Sequence, residues 1–209
     1  MALQGSGAIS ISQIRTELGS ASYSLRTLSG AAGKSSPDSM SEFFGYSATP
    51  YIGQAAKGGI IAYILQPGDP GYDAGVTHGL VATTADISTS APWGCYNTTI
   101  SGADGTAIGT GNANTIAIMA GCATAGIAAR LCGDLVEGGY SDWYLPSKDE
   151  LNTLYTNRVA IGGFANAYYW SSSQRNGDSQ LAWRQVFSIF SQTTNLKNIS
   201  YRIRAVRSF

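Results

Sequence analysis

Charge is scarce in this sequence: Asp, Glu, Lys and Arg make up 12% of its 209 residues, and thirteen of each sign leave a formal net charge of zero. Globular domains usually carry about 25%. A chain charged this weakly and evenly is neither a basic nucleic-acid binder nor an acidic disordered tail. Histidine occurs once, at His78, with no nucleophile or metal-type carboxylate cluster beside it in sequence. It reads as structural. Cysteine occurs three times, at Cys95, Cys122 and Cys132, an odd number without CxxC spacing, which argues against a disulfide framework or a zinc site. The three are taken as buried thiols, with one pair as the lesser alternative. No apolar run reaches the length of a bilayer-spanning helix. The first residues show neither a basic leader nor an apolar signal region, so we expect a protein made and left in a cytosol, without membrane insertion. No GxxxxGK phosphate loop occurs, and Gly109-Thr110-Gly111 alone is too weak a signal to claim one.

What is abundant is Gly, with 26 residues, alongside many Ser, Thr and Asn. Low charge with this polar content suits extracellular-facing β-rich surfaces and subunits of large assemblies, where few charges need desolvation. The length fits one sizeable domain plus an appendage.

The appendage is residues 1–48. Ser10 as cap, apolar residues at Ile11, Ile14 and Leu18, and a stopping Gly19 mark a two-turn helix. Residues 38–45 read as a second short capped turn ending on Phe43 and Phe44. So little apolar content predicts no stable core of its own, and therefore folding against something else. The cadence ISISQIRTELG, SLRTLSG and SMSEFFG is similar to the N-terminal segments of many tailed-bacteriophage fibre and tail proteins. That resemblance implies docking on a virion through residues 1–48.

The main domain is expected over 51–209. Residues 58–65 and 78–83 read as β-branched, apolar strands separated by a Gly/Pro turn. A helix is expected from Asn112 to about Leu135, with Gly121 and Gly126 as weak points. Ser147 followed by Glu150 is a capping box, so a second helix starts at Lys148. Pro146 holds Leu145 extended and aims Trp143 and Tyr144 into the core. Caps account for Asp149 and Glu150, and Asp142 sits at a turn, so an acid–base site is the lesser reading.

Beyond residue 168 large side chains alternate with polar ones. A strand over 182–190 puts Trp183, Gln185 and Phe187 on one face and Arg184, Val186 and Ser188 on the other. Burying Trp183 and Phe187 is worth roughly 1.5–3 kcal/mol each, which decides the inward face. A final strand over 201–207 places Arg202, Arg204 and Val206 together, the arginines bonding carbonyls or carboxylates.

The motifs GYSDWYLPSKDEL (139–151), YWSSS (169–173), Ala182-Trp183, Phe187 and RIRAVR (202–207) together resemble the Lcl carboxy-terminal domain family over about 51–209. The resemblance implies an α+β, C-type-lectin-like domain: a twisted antiparallel sheet flanked by two helices, with irregular ligand-binding loops on one side. It includes adhesins and is similar to the variable proteins of diversity-generating retroelements. In those, fixed scaffolding surrounds positions rewritten to change specificity. Carried over, the scaffold is Trp143, Pro146, Ser147, Glu150, Trp170, Ser171, Ser172, Trp183, Phe187, Arg204 and Arg207. The displayed, ligand-binding positions are Arg175, Asn176, Asp178, Ser179, Gln180, Arg184, Val186, Ser188, Thr193, Thr194, Asn195, Asn198, Ile199 and Ser200. Ile189-Phe190 departs from the polar turn usual in such proteins, and Ile203 stands where Val is usual. No multi-carboxylate loop supports a lectin-type calcium site.

The expected function is a bacteriophage virion protein, of tail or head fibre or receptor-binding type, whose lectin-like domain binds a host-surface glycan or protein. A purely structural capsid or tail decoration subunit and a bacterial adhesin of the same fold are the alternatives. The expected partners are other virion proteins and further copies of the chain, a trimer being favoured. No nucleic acid, cofactor or metal is expected. An enzyme ranks last: formylglycine-generating enzymes share a related fold, but nothing in the spacing of the cysteines suggests their reactive pair or copper site.

Overall fold

A computed structural model describes residues 3, 9–34, 39–43 and 50–209 of the chain, which divides into two units, Met1–Pro50 and Tyr51–Phe209. In the first, α1 (Ile11–Leu18) starts at Ser10, whose side chain accepts from the Gln13 amide while Gln13 Oε1 accepts from the Ser10 amide at 2.7 Å. Gly19, at φ +61°, ends it in the left-handed conformation that a side chain would resist. A helix the sequence reading passed over, α2 (Leu25–Ala31), is capped by Ser24. A single 3-10 turn follows at Met40–Phe43. The expected absence of a core is corrected: Leu3, Ile14, Leu28 and Phe43 are buried and cluster with one another, with Leu18, Leu25 and Met40 against them. Few large residues suffice because both helices are only two turns long and need cover one stripe each. Residues 38, 44 and 45 of the expected second capped turn lie outside the described residues.

The second unit is α+β, with two sheets. The first has the order β1-β2-β3-β9, from β1 (Ala55–Ala56), β2 (Gly59–Ile64), β3 (Gly79–Ala82) and β9 (Val206–Ser208), all antiparallel. The second has the order β4-β8-β5-β6-β7, from β4 (Ser88–Pro92), β5 (Tyr168–Gln174), β6 (Leu181–Val186), β7 (Ser191–Leu196) and β8 (Ser200–Ile203). It is antiparallel except where β5 runs parallel to β8, Tyr169 opposite Arg202.

The C-terminal run is therefore two strands, not one. The chain leaves β8 at Ile203, crosses through Arg204 and Ala205, and enters the other sheet at Val206. The Arg204 guanidinium, fully buried, holds that crossing by donating to Asp86, to the Thr83 carbonyl at 2.8 Å and to the Gly163 carbonyl. Gly163 sits at φ +70°, and a Cβ there would lie 2.6 Å from the Thr84 carbonyl oxygen and 3.1 Å from Arg204 Nη2, so only glycine lets the chain approach this closely.

Four helices complete the unit: α3 (Gly111–Gly121), α4 (Ala128–Gly133), α5 (Lys148–Thr156) and α6 (Arg158–Ile161). The single helix expected from 112 to 135 is broken at its weak glycines. Gly126 adopts φ +70°, and Cys122 is extended, with φ −137° and ψ 102°. At the break Cys122 is bridged to Cys95, with their Cα atoms 5.8 Å apart. The reading of three buried thiols is corrected accordingly, and Cys132 alone is free and buried.

One core cluster gathers Trp93, Trp143, Trp170, Ile118, Ile127 and Ile203. A second gathers Tyr144, Leu151, Leu154, Tyr169, Phe187 and Val206. Together they bury the inward faces of both sheets and the apolar sides of α3 and α5.

Candidate functional site

The platform is built from the start of α5 outward. Ser147 and Glu150, both 0% exposed, close the capping box: Glu150 Oε2 accepts from the Ser147 amide at 2.7 Å and Ser147 Oγ accepts from the Glu150 amide at 3.2 Å. The other oxygen, Oε1, accepts from the Gly109 amide at 2.8 Å, two residues before α3. One carboxylate thus serves the N-termini of two helices, where partial positive charge gathers. Burial pushes the Glu150 pKa above the ordinary carboxylate value, while the surrounding amides hold it down. Ser147 Oγ donates to Ala107 O, and the Lys148 amide donates to Ser173 Oγ, fastening β5 to the same corner.

Pro146 is buried beside this box, and Trp143 is buried with Nε1 donating to Glu137 O. Arg207 pairs with Asp142 through Nε at 2.7 Å and Nη2 at 2.9 Å, and lies over the Tyr140 ring. The guanidinium's hydrogen bond holds the Asp142 pKa below its usual value, so Asp142 is a salt-bridge partner rather than an acid–base group.

The base under the polar loops is apolar and fully packed. Trp170 is 0% exposed and donates from Nε1 to Ile199 O. Ser171 and Ser172 are buried, Ser171 Oγ donating to Trp183 O and Ser172 Oγ accepting from Asn114. Phe187 is 2% exposed and stacks on Phe164 with centroids 4.6 Å apart. Trp183 departs from its expected inward place: it is half-buried, with Lys148 Nζ 5.1 Å from its ring centroid.

The displayed positions divide into groups. Arg175, Asn176, Asp178, Ser179 and Gln180 form the exposed or half-exposed β5–β6 turn, in which Asp178 Oδ1 accepts from the Gln180 amide at 2.8 Å. Asn198 and Ile199 are exposed in the β7–β8 turn, and Ser200 is exposed at the start of β8. The Lys197 amide donates to Gln180 O at 2.8 Å, so the two turns share one end of the sheet. Arg184 and Thr193 stand opposite each other across β6 and β7, with Asn195 one step along the same face. Thr194 is half-exposed and alternates to the other face. Ser188 is exposed but sits in the β6–β7 turn, at the far end of the hairpin.

Two expectations fail here. The strand assigned to 182–190 ends at Val186, and residues 187–190 turn. Val186, assigned to the displayed face, is 8% exposed. It shares the face of Arg184 as alternation requires, and it pairs with both Tyr168 and Ser191 near the end of the hairpin, between two neighbouring strands.

Sequence reasoning missed the residues that shape the rim. Tyr168 (41% exposed) and Tyr201 flank Arg184, whose guanidinium carbon lies 4.1 Å and 4.8 Å from their ring centroids. Arg184 donates from Nε to Thr193 Oγ1 at 3.2 Å and from Nη1 to the Tyr201 hydroxyl, which also accepts from Asn195 Nδ2. The result is a cradle in which a long cation is held in one geometry before any ligand arrives.

Lys197 was missed as well. It is fully buried, donates from Nζ to Thr98 O and Gln174 Oε1, each at 2.7 Å, and lies over the Trp93 ring. Desolvation pulls its pKa down to about 8. His78, read as structural, donates from Nδ1 to Phe209 O at 3.1 Å, on the wall of a cavity of about 220 Å³ lined by apolar residues such as Leu65, Leu80 and Ile108.

A buried aromatic and hydrogen-bonded base with polar turns raised at one end makes up this α+β domain. The chain belongs to the Lcl C-terminal domain family, whose model matches residues 82–207. The matched range covers β4 to β8, every helix of the second unit and the rim, and reaches into β3 and β9. No curated protein matches the chain.

Proposed function

We propose that this chain is a virion structural protein of a tailed bacteriophage, of tail- or head-fibre receptor-binding type. Residues 1–48 dock it to other virion proteins, and the domain from residue 51, lectin-like in our reading, binds a glycan or protein on the host surface. It works as a homo-oligomer, a trimer being favoured, without catalysis, cofactor, nucleic acid or membrane insertion. One observation carries the reading: the β5–β6 and β7–β8 turns and the Arg184 cradle are exposed or half-exposed above a base in which Trp170, Ser171, Ser172 and Phe187 are buried. Family membership supports it, because a family that includes adhesins gives a contact surface a precedent. The Cys95–Cys122 bridge supports a working life outside a reducing cytosol, virion surfaces being one such place. It accords with a subunit made in the host cytoplasm and carried on the virion.

Particles assembled with a chain lacking residues 1–48 provide the test. The remaining domain is expected to fold and to be absent from purified particles; its continued incorporation would count against the docking role.

Ile189 and Phe190, 61% and 72% exposed in the β6–β7 turn, favour a second reading, a decoration subunit contacting its neighbours. Alanine at Arg175, Arg184 and Asn195 separates the two. Host adsorption falls under the first reading and particle assembly under the second.

A further inference from the structure

The segment from Gly94 to Ile100 braces the rim from outside the displayed set. Asn97 Oδ1 accepts from Gln180 Nε2 at 2.7 Å, and Thr98 O accepts from Lys197 Nζ. The Gly94 amide donates to Lys197 O at 3.2 Å, and the Ile100 amide to Gln174 Oε1 at 2.8 Å. Inside this segment Cys95 and Asn97 stand at φ +43° and +66°, a conformation that L side chains rarely adopt. Such backbone persists only where its surroundings over-determine it. The Cys95–Cys122 bridge is the covalent part of those surroundings. Cys95 is half-exposed and Cys122 only 1% exposed, so an external thiol meets the Cys95 sulfur first.

We propose that the Cys95–Cys122 bridge is a redox latch on the rim: closed, it holds Asn97 against Gln180; opened by a low-molecular-weight thiol of the glutathione class, it releases residues 95–99 and reshapes the contact surface. A thiolate attacks Cys95 Sγ, the S–S bond breaks, and Cys122 leaves as a thiolate that takes a proton from solvent. A second thiolate attacks the mixed disulfide, releasing Cys95 as a thiol and the reductant as its own disulfide. Two electrons pass to the protein and two external thiols are oxidised. The gain in local freedom belongs to the latch alone, whereas its effect on binding rests on the function proposed above.

The test uses the full chain, oxidised and after incubation with reduced glutathione or dithiothreitol, with alkylation mass confirming one and three free thiols respectively. Amide hydrogen exchange is then followed by fragment. Reduction is expected to speed exchange over 95–99 by about tenfold or more, with a smaller rise over 175–180, while α5 is unchanged. The variant Cys122→Ser reproduces this without reductant. Unchanged exchange over 95–99 overturns the latch, and so does a rise of equal size in α5, which would make the bridge a global staple. Adsorption of particles before and after reduction is the separate arm. A local change in exchange with unaltered adsorption upholds the latch and contradicts the placing of ligand contacts on this rim.

Discussion

Removing the Glu150 carboxylate should unseat two helices at once. In Glu150→Ala, the Ser147 and Gly109 amides, bonded at 2.7 Å and 2.8 Å, lose a fully buried acceptor. A buried donor left without a partner costs about 1–3 kcal/mol. The Ser147 amide is the capping-box contact itself, so no further contribution is added and the two donors give an expected loss of roughly 2–6 kcal/mol. Glu150→Gln keeps the volume and one acceptor oxygen but sets an NH2 group against the other amide, for about 2–3 kcal/mol. All four tryptophans lie beyond residue 92, so fluorescence-detected urea unfolding reports the second unit alone. For a unit of this size roughly 2–4 °C of Tm accompany each kcal/mol. The alanine variant should therefore melt at least about 4 °C below wild type, and the glutamine variant between them. Equal stability of all three proteins would refute the view that one carboxylate anchors both helix starts.

Other perturbations probe the base and the corrected positions. Lys197 has its pKa pulled from 10.5 to about 8 by desolvation, so between those values the folded chain binds fewer protons than the unfolded one, and its stability contribution rises with pH. Tyr63 and Tyr169, pushed up to about 12, act oppositely: their contribution is present below pH 10 and lost as pH climbs through 12. Burial raises the pKa of the Cys132 thiol and opposes this slope in the same range. The check is therefore the stability difference between wild type and Lys197→Met from pH 7 to 10: it should grow with pH, and a slope unaffected by the change would contradict the assignment. Val186→Ala should cost about 1–2 kcal/mol because its side chain is buried, whereas Ser188→Ala should fall within about 0.5 kcal/mol; urea midpoints compare them, and equal costs would restore Val186 to the surface.

Features written in neighbouring residues were legible in the sequence. Ser10 with Gly19, and Ser147 with Glu150, gave two helices their starts and stops, because caps are settled within four residues. Alternation gave the shared face of Arg184 and Val186. It could not give the depth of that face, since Val186 lies between two neighbouring strands that pair with it. Pairings across long separations were silent too. The Cys95–Cys122 bridge spans 27 residues, and the odd cysteine count pointed away from it. Arg204 with Asp86 and Lys197 with Thr98 join residues about a hundred apart. A polar residue in an alternating stretch looks exposed until its distant partner is known, which is why Lys197 escaped notice.

The rim claim has its most direct test in one variant, Arg175→Ala, Asn176→Ala, Thr193→Ala and Asn198→Ala together, all four exposed in the structure. Particle adsorption to host cells and the melting temperature of the free chain are measured side by side. The account predicts adsorption lost with melting shifted by no more than about 4–8 °C, since four exposed substitutions at up to about 0.5 kcal/mol each total about 2 kcal/mol. Undiminished adsorption, or a melting transition that collapses with it, would contradict the separation of rim from base.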